Sequence, residues 1–514
     1  MSTPLDRRQF VGRALGLGAA GLADLAFLRG LPAVSADEAR AAPATVRLAP
    51  ELEPLVRLIE ETPRDKLLEA CAEKVREGTG YRQLLGAVFL AGVRGVKPRP
   101  VGFQFHAVLV INSAHLAALS SSDKDRWLPL FWALDNFKES QAVNRTKNDG
   151  WMLPPVDEAK LPSATEAKKQ FTQAMDDWDE EKADAAVAAL VRSAGAEELI
   201  ELFWRYGSRD FRDIGHKAIY VANSWRTLQT IGWRHAEPVM RSLAFALLQH
   251  EGDNPARRDA DADRPGRDNL KRAAKIRAGW QRGDRWPAAA KALLTALRTG
   301  SAGEAADTVV ELLNKEVDPA SVWDGVFLTA AELLMRQPGV LPVHCVTSAN
   351  ALHYGYQSSS DDETRRLLLL QAASFMAMFR DMLKDRDQPE KLRIDALEKV
   401  EVKAEEGPEA VEEIFAAVGR EPKDRAAAAG KILSWAARDA GRVEALMTAA
   451  RRLIFTKGTN AHDYKFSEAA LEDYYHATPA WRDRCLAANT FYLRGAGDAD
   501  NDLIRRAKAA LGKA

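Results

Sequence analysis

The chain has 514 residues, with 72 Lys+Arg against 73 Asp+Glu and a formal net charge of −1; 46% of its residues are hydrophobic and 28% charged. That is the balance of a folded globular protein, not of a collagen-like or disordered chain, and a core of this size folds without disulfides. The near-zero charge excludes the basic excess expected of a nucleic-acid binder.

Residues 1–36 read as a targeting segment. Arg7-Arg8-Gln9-Phe10-Val11 has the twin-arginine (Tat) export pattern. A Gly/Ala/Leu-rich stretch follows over 14–23, and small residues end at Val34-Ser35-Ala36, where cleavage is expected. Asp24 and Arg29 interrupt the apolar run, which is too short to span a bilayer at ~20 apolar residues. The expectation is passage through the Tat export machinery to the periplasm or cell envelope, with no integral membrane anchor after cleavage. Gly16-Leu17-Gly18-Ala19-Ala20-Gly21 fits G-x-G-x-x-G, but no strand precedes it and no βαβ unit follows, so it carries no dinucleotide site. Cys71, Cys345 and Cys485 lie far apart and in no C-x-x-C pair; they read as small core residues.

From 45 to 514 nearly every segment reads helical. Apolar residues recur at three- and four-residue steps over 52–60, 67–75 and 84–93, and again over 185–194, 309–313, 330–334, 367–383, 410–418, 426–437 and 443–454. Prolines and short polar residues, such as Pro63, Ser121-Ser122-Asp123, Pro319, Pro389 and Pro479, mark helix starts. Strand alternation and hairpin signals are missing. The predicted fold is all-α, with antiparallel helix pairs stacked into one large domain. Two stretches depart from the pattern. Residues 144–162, with Trp151-Met152-Leu153-Pro154-Pro155, predict an ordered loop. Residues 253–285, crowded with Arg, Asp, Pro and Gly, predict a charged, solvated excursion.

The nine histidines show a weak internal echo. His106 is followed by Asn112 and His115, and His344 by Asn350 and His353, at the same spacings; His216 is followed by Asn223. Residues nine apart on one helix face opposite ways and lie ~13 Å apart along the axis. His106 and His115 therefore cannot share a compact site, and neither can His344 and His353. One histidine per segment leaves His106, His216, His344 and either His462 or His476. In Asn460-Ala461-His462-Asp463-Tyr464-Lys465, the histidine and lysine lie three apart, on one helix face. A lysine among core histidines needs its charge compensated or removed. It reads as a catalytic amine, as a carbamylated metal ligand, or as a lysine that snorkels to solvent. Imidazole clusters suit Zn, Cu, Ni and Fe. H-E-x-x-H, a Glu-x-x-His pair, a G-x-S-x-G elbow and a P-loop are all missing from the sequence.

The stretch Val343-His344-Cys345-Val346-Thr347-Ser348-Ala349-Asn350-Ala351-Leu352, with Arg365-Arg366-Leu367-Leu368 after it, resembles the H-x-V-T-x-x-x-A-L helix and following apolar helix of the questin oxidase-like family. Phe105-His106 looks like that family's N-terminal His helix, Ile214-Gly215-His216 like its second, and His462 with Lys465 like its C-terminal element. The resemblance implies an all-helical oxidoreductase acting with O2 on an aromatic or phenolic small molecule. It also implies a metal, non-haem iron or another divalent ion, held by His106, His216, His344, His462 and a modified Lys465. His115, His235, His250, His353 and His476 are then supporting or plain structural residues. Two other readings compete: a non-catalytic helical-repeat envelope protein that binds partner proteins, with its histidines scattered, and a zinc hydrolase built on the same cluster.

Overall fold

A computed structural model describes residues 45–512, apart from 385–390, 406 and 439–440. The twin-arginine segment lies outside the described residues. Residues 45–512 are all-α and fall into one compact unit. The only ladder contact among the described residues is an isolated bridge between Asp284 and Val317. No described helix is long and apolar enough to cross a membrane.

The predicted periodic segments fall on helices, with ends that differ by a few residues. Residues 52–60, 67–75 and 84–93 fall on the helices Glu53–Glu61, Arg64–Arg76 and Tyr81–Gly95. The third is buried from Leu84 to Gly95 because Leu, Ala, Val and Gly leave it without a polar face. Cys71, Cys345 and Cys485 are free and buried. The predicted loop begins later than its composition suggests, because helix Leu128–Lys147 runs through Asn144. Beyond it, Leu153 is buried and its backbone pairs with Val46 and Arg94.

Four helices surround the centre. We name them α1 (Ile111–Leu119), α2 (His216–Ile231), α3 (Val340–Ser358) and α4 (Ala461–His476). Each packs on the next, and α4 packs back on α1, closing a ring. A single helical turn, His106–Leu109, leads into α1. His216 is the first residue of α2, His344 the fifth of α3, one turn in, and His462 the second of α4. The N-terminal ends of these elements thus meet at one place, which antiparallel pairing alone does not anticipate.

The charged segment 253–285 is built more deeply into the fold than its composition suggests. It contains the helix Arg264–Ala273 and buries Asn269, Ile276 and Trp280. Asn269 donates to Gln371 at 2.7 Å and to Ser374 at 3.0 Å, and the Trp280 indole donates to Asp362 at 2.8 Å. Its arginines and aspartates pair with each other on the outer face (Arg264 and Arg267 with Asp259), so the charge run conceals an apolar inner face. Trp280→Ala is expected to cost about 3–5 kcal/mol of unfolding free energy, as for a core aromatic. Urea denaturation reads this out, and a cost near zero would restore the solvated excursion.

Candidate metal centre

The backbone before two of the histidines is unusual. Gly102 and Phe103 take φ of 116° and 47°, and Asp213, Ile214 and Gly215 take 54°, 47° and 78°. Left-handed backbone is costly for a β-branched residue such as Ile214 and is kept only where the surroundings impose it. In both places the residue three before the histidine turns its carbonyl onto the ring. His106 Nδ1 lies 2.7 Å from Phe103 O, and His216 Nδ1 lies 2.5 Å from Asp213 O. His344 reaches the same end by ordinary helix geometry, with Nδ1 2.6 Å from Val340 O four residues back.

A carbonyl can only accept, so each Nδ1 carries the proton and each Nε2 is left with a lone pair. Those three lone pairs converge. The Nε2 atoms of His106 and His216 are 2.9 Å apart, and one ligand atom from each of His106, His216 and His344 lies within 4.8 Å of the others. The scattered-histidine reading required these imidazoles to be farther apart than one coordination sphere. Lys465 Nζ lies 3.4 Å from His216 Nε2 and 3.3 Å from His344 Nε2. Metal–nitrogen bonds of 2.0–2.1 Å put neighbouring ligand atoms roughly 2.9–3.4 Å apart, which is the range seen here. The His462 ring packs against His106 and His344, with centroids 4.5 and 5.2 Å away, and its Nε2 is buried without a hydrogen-bond partner.

Electrostatics keeps the cluster unprotonated. Burial, then the Lys465 ammonium, pushes His106, His216 and His344 well below the usual histidine range. The same two causes bring His462 down to about 4. Burial alone brings Lys465 down to about 7. The helix N-termini meeting here add partial positive charge, which also opposes protonation. Two lone pairs facing each other at 2.9 Å need a cation between them, and protonation is disfavoured. A metal ion fits this donor set: it would use the three converging Nε2 lone pairs, two of which Lys465 Nζ reaches only at 3.3–3.4 Å, beside the orphaned His462 Nε2. The buried triad could therefore hold a metal ion; its donors do not fix which one.

The remaining histidines are elsewhere. His115 sits 3.2 Å from the Tyr81 hydroxyl, His250 edges Trp178, His235 abuts Arg234, and His353 packs with Trp323, Phe327 and His476.

The asparagines of the sequence echo have a place of their own. Asn112, Asn223 and Asn350 line a small, partly open cavity together with Lys465 and Glu468. Glu468 stands six residues after His462, so all four histidine segments send a polar side chain into this second layer. Beside it lies an ionic knot. Arg226 of α2 donates to Glu472 of α4 at 2.7 Å. Asn350 of α3 donates to Glu472 and Asp473 at 2.8 Å each. The knot ties together the helices that carry His216, His344 and Lys465. Sequence reasoning missed it, although the repeated asparagine was its visible trace. Gly102 was the other usable signal: a Cβ there would lie 2.9 Å from the His216 ring.

Searches of protein-family models, curated proteins and solved structures find no match to this chain.

Two expectations follow from this geometry. Gly102→Ala adds a methyl against the His216 ring at a positive φ, so it should cost about 1–2 kcal/mol and weaken metal binding. Thermal unfolding and a metal-chelator competition check both effects. The second concerns pH. The His462 value falls from an ordinary 6.5 to about 4, so acid protonates the unfolded chain before the folded one. Stability of the metal-stripped protein is then fully present above 6.5 and declines as pH falls toward 4. Denaturant midpoints across that window measure the decline, which His462→Gln should reduce.

Proposed function

We propose that this chain is an exported, metal-dependent oxidoreductase that acts with O2 on an aromatic or phenolic small molecule, with non-haem iron held by His106, His216 and His344. The observation that carries the reading is the convergence of three lone-pair Nε2 atoms, each fixed by its own Nδ1–H···O=C bond. Histidine nitrogens suit iron, and a three-histidine set leaves coordination positions open. Iron with open positions supplies O2 chemistry when bound. The questin oxidase-like resemblance of residues 343–352 supports the direction of this reading, and the twin-arginine pattern supports export to the periplasm or cell envelope.

The chain's own residues have separate tasks. The three backbone carbonyls orient the rings and fix their tautomer. Lys465, with its amine brought to about 7, holds or releases one proton at Nζ beside His216 and His344. An unprotonated amine is also the form that takes up CO2, so a carbamylated Lys465 is consistent with the same burial. His462 completes the wall against His106 and His344. The buried surroundings exclude bulk water from the rings.

A three-histidine set also serves catalytic zinc, so the zinc hydrolase reading keeps a physical basis. Metal analysis of the purified full chain separates the two. The proposal expects about one iron per chain, lost in His216→Ala and His344→Ala and retained in His115→Ala, which alters a histidine outside the cluster. Stoichiometric zinc with no O2 dependence would transfer the assignment to the hydrolase. A folded protein that takes up no metal would overturn both.

A further inference from the structure

The segment 253–285 forms one wall of a second cavity, of about 480 Å3, whose lining includes none of the site histidines. Gly266, Arg267 and Leu270 face Trp178, Tyr206 and Arg209 across it. That volume is in the range of small-molecule sites. Gly266 lets the two walls approach, since a Cβ there would lie 2.1 Å from the Arg209 carbonyl oxygen.

The cations at the floor of this cleft share their carboxylates unevenly. Three cations gather on the Trp178 indole, at 3.7 Å for Arg209, 5.1 Å for Lys217 and 5.2 Å for Arg212. Their side chains are 18%, 0% and 11% exposed. Lys217 is answered by Asp210 at 2.9 Å, and Arg212 by both oxygens of Asp263. Arg209 has no carboxylate of its own. Its nearest is the Asp210 oxygen at 3.7 Å, already bonded to Lys217, and its guanidinium donates to the Met175 and Leu247 carbonyls instead. Asp176 stands at the exposed rim and accepts from the Tyr206 hydroxyl at 3.1 Å, where water screens it. A largely buried guanidinium whose nearest carboxylate is 3.7 Å away and shared with Lys217 is only partly compensated, and an anion entering the cleft would offset the remaining cost. Trp178, Tyr206, Leu202 and Leu270 supply apolar and aromatic walls for the rest of such a ligand.

We propose that this cleft is a binding site for a small monocarboxylate with an apolar or aromatic body, its carboxylate set beside Arg209 and its body against Trp178 and Leu270. The site stands independently of the metal centre. Arg209 supplies the charge selectivity and the wall from 253–285 supplies the shape.

Isothermal titration of the full chain with 3-phenylpropionate, and with its neutral analogue 3-phenylpropanamide, tests it. The carboxylate should bind one per chain, about tenfold or more tighter than the amide, because the contact is charge-assisted. Arg209→Gln should bring the two affinities together. Should that variant fail to fold, Leu270→Glu, on a side chain 38% exposed, places a like charge in the cleft and should weaken the carboxylate about tenfold with an unchanged melting temperature. Binding should survive in His344→Ala. No binding, equal affinity for the two probes, indifference to Leu270→Glu, or loss of binding in His344→Ala would each overturn the proposal; the last would place the carboxylate at the histidine cluster instead.

Discussion

The structure depends on one arrangement: three buried imidazoles, each donating Nδ1–H to a backbone carbonyl and each left with an inward lone pair. Such an arrangement is unfavourable by itself. It removes three polar rings from water and sets acceptor against acceptor at 2.9 Å. The surrounding fold supplies the compensation. Two short turns with left-handed residues aim the carbonyls of Phe103 and Asp213, at a conformational cost that a free loop would not bear. Four segments bring their N-terminal ends together, so the rings are presented by rigid elements, not by loops. The lone pairs then find a partner in a cation, either a metal ion or the Lys465 ammonium that stands 3.3–3.4 Å from two of them.

The second layer explains how the first is kept in place. Six or seven residues beyond each histidine, a polar side chain lines one small cavity, and Arg226, Asn350, Glu472 and Asp473 join three of the four helices beside it. Helix register decides whether Lys465 meets His216 and His344 or points elsewhere, and a buried ionic knot opposes any slip in register. Its geometry matters more than its net energy, since buried charges cost about as much in desolvation as they return. Burial alone would raise the Glu472 carboxyl, yet hydrogen bonding to His476 and the charge of Arg226 hold it at about 2, so the Arg226–Glu472 pair stays ionised, while burial pushes Asp473 well above the usual carboxylate range.

Much of this was legible in the sequence. Leu84 to Val93 and Leu367 to Leu383 declare helices through their spacing, because each must bury an apolar face. The histidine segments could be paired through their shared asparagine spacing and thinned by helix geometry, which removes His115 and His353. Other features were hidden for physical reasons. Phe103 and Ile214 are not residues that favour positive φ, so nothing at those positions announces the turns; tertiary packing imposes them. The 253–285 segment carries its charges outward and its Trp280, Ile276 and Asn269 inward, and composition averages the two faces into an apparent solvated loop. The meeting of helix N-termini is a property of topology that no single segment's pattern contains.

The most direct test of the central claim is an anomalous-scattering map from crystals of the full chain grown with ferrous iron under anaerobic conditions. The account predicts a single peak at the iron edge, within bonding distance of Nε2 of His106, His216 and His344. A map without a peak there, with the Lys465 ammonium instead donating directly to His216 and His344 and the rings otherwise unchanged, would contradict it. The cluster would then be a buried hydrogen-bond network completed by lysine, and not a metal centre.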